Sequence, residues 1–86
     1  MDNDAIRLRS EISRISLEIN QQITAIGLAK LELRAAGEDM LQLRSGRNDV
    51  DSAAGIMLNG VVPDLDATLG QLVSIRRVLE DWLPLI

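Results

Sequence analysis

AIRLRSEISRISLEINQQITAIGLAKLELRAAGEDMLQL, residues 5–43, decides the fold. Stepping through it alternately by three and four meets Ala5, Leu8, Ile12, Ile15, Ile19, Gln22, Ile26, Ala29, Leu33, Ala36, Met40 and Leu43, and eleven of these twelve are apolar. Side chains so spaced return to one side of an α-helix, because a heptad spans almost two helical turns. The stretch is a heptad seam, with Ala5, Ile12, Ile19, Ile26, Leu33 and Met40 at position a and the others at d. It predicts one helix over residues 4–45. Asp2, Asn3 and Asp4 supply a cap and first-turn acids, while Arg44 and Ser45-Gly46 supply a cation and a left-handed residue at the far end. Gly27 and Gly37 are the weak points, since each costs about 1 kcal/mol against alanine inside a helix. A break at either would fold the chain into a closed three- or four-helix bundle instead.

Beyond this stretch the chemistry changes. Asn48, Asp49, Asp51 and Ser52 are cap and turn residues, residues 53–58 are a short apolar run, and Asn59-Gly60 is a turn signal. A turn region over 46–62 with a short helix at 51–58 is expected. A second long helix follows over 63–83, opened by Pro63 with Asp64 and Asp66 near its N-terminus and stopped by Pro84. Its seam is Val61, Leu65, Thr68, Leu72, Ile75, Leu79, Trp82 and Ile86. No stretch alternates with period two, and no repeat appears. The fold class is all-α: a single helical-hairpin domain, 1–86, of one long helix plus shorter ones, packed as a coiled-coil-like or bundle oligomer.

The oligomer follows from length. At about 1.5 Å per residue the first helix runs to about 63 Å and the second to about 30 Å. The second would cover only residues 24–43, leaving Leu8, Ile12, Ile15 and Ile19 without an intramolecular cover. Each such side chain left in water forfeits about 1.5–3 kcal/mol, against a usual total stability of about 5–15 kcal/mol. Another chain should cover them, so Leu8, Ile12, Ile15, Ile19, Gln22 and Ile26 are the expected interface. Gln22, the polar member of the seam, either fixes register by bonding its counterpart in a facing helix or marks a place where the seam is exposed. Leu79, Trp82, Leu83, Leu85 and Ile86 gather the only aromatic residue and four large aliphatics at the C-terminus, a second candidate docking cluster. Trp82 is expected beside Ile23 to Ile26.

Composition excludes more than it identifies. The 86 residues contain no His, Cys, Tyr or Phe, so the usual general base, the best nucleophile and the soft metal ligands are all missing. Nine Lys+Arg against 13 Asp+Glu give a net charge of −4, which opposes a phosphate-rich partner such as nucleic acid. Asp49-Val50-Asp51 begins like a calcium loop, but Ala54 and Gly60 stand where that loop needs glycine and glutamate. Gly55 and Gly60 have the spacing of a phosphate-binding loop, yet Val61-Val62 replaces its Lys and Ser or Thr. Neither catalysis, cofactor nor bound metal is expected; Asp49, Asp51, Asp64 and Asp66 form the densest acidic grouping. The longest uncharged run, Ser52 to Pro63, is too short for a bilayer, and the acidic start does not suit a signal peptide. A soluble, cytoplasmic protein is expected, with export lacking a cleaved signal left open.

Two resemblances bear on function. Leu8-Arg9-Ser10-Glu11-Ile12-Ser13-Arg14-Ile15 looks like the opening helix of the all-helical chorismate mutases, with Arg9 at their arginine. Ile26 and Gly37 stand where those enzymes place further cations, and a dianionic substrate needs several. In size, acidity, lack of cysteine and helix–turn–helix layout the whole chain is similar to the small secreted helical hairpins with a Trp-x-Gly turn exported by specialised bacterial secretion systems. It departs from them in having no tryptophan in the turn and no tyrosine. The function expected from the residues themselves is a non-enzymatic helix–helix interaction module, an adaptor, small chaperone or assembly subunit that self-associates. The alternative is a secreted hairpin of that kind or its partner.

Overall fold

In the computed structural model, which describes residues 2–43 and 46–86, the heptad stretch is one unbroken helix. This helix, α1, runs from Asp2 to Gln42 and passes through Gly27 and Gly37 without interruption, so no closed bundle forms within the chain. Arg44 and Ser45, read as its last residues, lie outside the described residues, as does Met1. Gly46 turns the chain with φ +68°, the left-handed conformation expected of it. Gly37 has a packing reason to be glycine. A Cβ there would lie 2.8 Å from Cγ and Cδ2 of Leu58, closer than real side chains come.

The returning arm differs from the expected turn and separate helix. Helix α2 spans Asn48–Ile56, a π-helical turn spans Met57–Val61, and α3 continues directly over Val62–Trp82, with a 3₁₀ turn at Leu83–Leu85. Asn59-Gly60 therefore makes no reversal. Pro63 explains the π turn. It has no N–H to donate, and in a regular helix its ring would strike the carbonyl of Asn59 four residues back. The wider turn relieves that clash, and the Val62 N–H bonds five residues back to the Met57 carbonyl. The π turn also preserves the seam: Val50, Ala54, Leu58 and Val62 follow one another by fours, a spacing that drifts around a plain α-helix and stays level where one extra residue is absorbed.

Joining α2 to α3 corrects the length argument. The second arm reaches about 55 Å and α1 about 61 Å, so the arms match along nearly their whole length. The molecule is a rod of 68 × 14 × 14 Å made of two antiparallel arms, with no strand among the described residues. Ile12, expected to need another chain, is 3% exposed within this one. Ala54 at 0% and Val62 at 4% are the other buried hydrophobic residues described, so the interior is a single thin seam.

Candidate interaction surface

Two polar ties set the register of the arms. Lys30 Nζ lies 2.6 Å from Asp66 Oδ1, and Arg76 Nη1 donates to Asn20 Oδ1 at 2.8 Å. Ten residues back along α1 answer to ten residues forward along α3, as antiparallel helices of equal rise require. Carried onward, this register sets Trp82 level with Arg14 and Ile15 rather than with Ile23 to Ile26. Ile86 shares a shallow dent of about 170 Å³ with Ala5, Ile6 and Arg9.

The seam between the arms is rotated from the expected one. On α1 the residues withdrawn from solvent are Ile12, Ser16, Ile19, Asn20, Ile23, Ile26, Gly27, Ala29, Lys30, Leu33, Gly37 and Met40. They are heptad positions a and e with Asn20 and Gly27 at b, and Ala29 is the one d residue among them. On α3 the same holds: Val62, Leu65, Leu69, Leu72, Arg76 and Leu79 form the covered row, joined by Val73 at b and by Leu83 just past the helix. The a residues of both expected seams thus face the other arm, and the d residues are turned about 80° aside. Of the expected interface, Ile12, Ile19 and Ile26 are used within the hairpin, whereas Leu8, Ile15 and Gln22 are exposed. Of the C-terminal cluster, Leu79, Leu83 and Ile86 are half-buried, and Trp82 and Leu85 are exposed.

The rotation has the same sense on both helices. Because the helices run antiparallel, the two d rows come to lie on one flank of the rod. The α1 row holds Leu8, Ile15, Gln22, Ala29 and Ala36; the α3 row holds Val61, Thr68, Ile75 and Trp82. Neither row contains a charge. Ile75 is 48% exposed and Trp82 44%. The opposite flank is the polar one, where both ties join an e residue to a b residue of the other arm: Lys30 to Asp66 and Arg76 to Asn20. The hairpin thus has one uncharged flank and one flank stitched by polar contacts.

The remaining charges are dispersed. Arg14 bridges Glu11 at 2.9 Å and Glu18 at 2.7 Å on the outside of α1. A hydrogen bond and Coulombic attraction from Glu11, then attraction from Glu18, raise the Arg14 pKa above its ordinary value. Asp49 is held by Arg47 at 2.6 Å and Asp66 by Lys30. Among the described residues no group of three or more potential metal ligands converges, so Asp49, Asp51, Asp64 and Asp66 are not assembled into a site. Three outward hydroxyls are absorbed locally: Thr24, Thr68 and Ser74 donate to the carbonyls of Asn20, Asp64 and Gly70. Ser16 differs, for its Oγ is buried in the seam without a hydrogen-bond partner. No helix of the described residues is long and apolar enough to cross a membrane.

The uncharged flank was only half legible, since the d residues were singled out but assigned to the same surface as the a residues. The missing signals were contacts made by e residues: Gly37 admits Leu58 and Lys30 reaches Asp66. Compared with protein-family models, curated proteins and solved structures, the chain matches none.

Proposed function

We propose that this protein is a non-enzymatic helix–helix interaction module that works by self-association. The observation that carries the reading is the mismatch between its apolar content and its interior. Fourteen large hydrophobic side chains are exposed, against three buried hydrophobic residues. Single exposed leucines are ordinary on soluble proteins, but five of the fourteen, Leu8, Ile15, Val61, Ile75 and Trp82, stand together on the uncharged flank, and such a row is the mark of a surface that another helix covers. Two helices alone bury one stripe each and leave the second stripe of every helix in water. A bundle of more helices removes that cost, which is why the reading favours an assembly subunit or adaptor over a free-standing hairpin.

Sedimentation velocity over a micromolar concentration series tests it. The expected result is a species heavier than the 9.4 kDa chain whose share grows with concentration. A fully helical monomer at every concentration would refute the self-association.

A further inference from the structure

The geometry points to the occupant of the uncharged flank: a second copy of this chain, laid face to face with the two hairpins pointing the same way, so that α1 of each covers α3 of the other. This rests on the self-association proposed above and adds the face, the orientation and the contacts. Three observations carry it.

The first is area. A folded monomer of 9.4 kDa is expected to expose about 5,000 Å². This chain exposes 6339 Å², an excess of about 1,300 Å² over that scaling. Its radius of gyration is 19.3 Å, against about 12 Å for a compact domain of its length. A standard interface removes about 800 Å² from each partner. One flank of a 68 Å rod is enough to provide it, and the excess is not reduced by a small ligand or a short peptide.

The second is composition. Along the d rows of α1 and α3 no side chain is charged, while the opposite flank holds Arg34, Asp66 and Glu80 at its b positions. Only the d flank can enter a dry interface without desolvating a charge.

The third is the acid rim, which selects the orientation. The g positions of α1, next to its d row, are Asp4, Glu11, Glu18, Ala25, Glu32 and Asp39, all exposed and all but Ala25 acidic. Stacking α1 on α1 of the second copy would set two such rows against each other. Stacking α1 on α3 sets them against Asp64, Gln71, Val78 and Leu85, with a single acid. The two-fold axis then runs along the rod, and every neighbouring pair of helices is antiparallel, as in an up-down-up-down bundle. The register defined by the Lys30–Asp66 and Arg76–Asn20 ties levels the rows pair by pair. Trp82 meets Ile15 of the second copy, Ile75 meets Gln22, Thr68 meets Ala29, and Val61 meets Ala36. The larger residues, Ile15, Trp82 and Ile75, then lie from the open end to mid-rod, and the smaller ones, Ala29, Thr68, Ala36 and Val61, toward the hinge.

The test exploits a chain without cysteine and with one tryptophan. Ala29→Cys and Thr68→Cys are prepared as separate variants, both conservative, Thr68 being exposed and Ala29 half-buried at the edge of the intrachain seam, and treated with a short thiol cross-linker alone and mixed. The expected result is a cross-linked dimer in the mixture and little in either variant alone. Self-cross-linking of Ala29→Cys without a mixed product would overturn the orientation and leave self-association standing. In parallel, Ile75→Glu on the d flank should weaken dimerisation by about tenfold or more, because a charge enters a dry contact. Leu17→Glu on the outer face should leave it unchanged. The reverse pattern would overturn the choice of face. Trp82 emission in the wild-type chain should shift to the red on dilution through the dimer dissociation range. A monomer throughout, with Trp82 emission independent of concentration, would overturn this proposal and the self-association together.

Discussion

The two ends of the hairpin are built on different principles. At the hinge end, small residues let the backbones close: Leu58 seats against Gly37, and Ala54 and Val62 are almost fully covered. Toward the open end the side chains are larger, yet only Ile12 is buried, and Trp82, like Ile75 at mid-rod, remains about half exposed. The hinge end gains its packing inside the chain, by close approach. The open end has the apolar surface but lacks the third helix that would cover it. Tight packing in a two-helix rod therefore depends on small residues, and large ones become useful only when more helices arrive.

Substitutions can break this contrast. The largest effect is expected from Ile12→Ala, which empties the one buried position of the open end and should lower stability by about 2–4 kcal/mol, measured by urea unfolding at fixed protein concentration. Gly37→Ala tests the hinge end. Its new methyl collides with Leu58, and the strain outweighs the improved helix propensity, so a loss of about 1–2 kcal/mol is expected. Ser16→Ala removes a buried hydroxyl without a partner at the open end and should raise stability by about 1 kcal/mol, visible as a higher thermal midpoint. Smallest is Gly27→Ala, where nothing lies within 4 Å of the new Cβ. Helix propensity alone then acts, and a gain of about 0.5–1 kcal/mol is expected. Opposite signs at Gly27 and Gly37 would show that the hinge glycine serves contact and not flexibility. Equal signs would remove that distinction.

Much of the architecture was legible in local pattern. The apolar period of α1 gave its helical state and its a row, and Gly46 and Pro84 marked the turn and the C-terminal stop. The Asn59-Gly60 signal misled, because a turn dipeptide describes what a short segment can do in isolation. Here the arms gain more by running side by side over their full length, and the π turn at Met57–Val61 lets the helix pass Pro63 without breaking. The site was legible in part for a related reason. Leu8, Ile15, Ile75 and Trp82 were visible as seam residues, but the row turned toward the other arm depends on Ser16, Lys30 and Gly37, whose polarity or small size reads as solvent-facing.

The sequence by itself determined that this protein is helical, that its two arms carry apolar rows, and that it lacks the side chains of most enzyme chemistry. These properties follow from composition and from a period of 3.6 residues, both of which are local. Only the tertiary structure decided how far each helix is rotated about its own axis. Position e won over d because Gly37 admits Leu58 and Lys30 reaches Asp66, contacts between residues 21 and 36 positions apart in the chain. A rotation of one heptad position changes no local propensity, so only the opposing surface can select it.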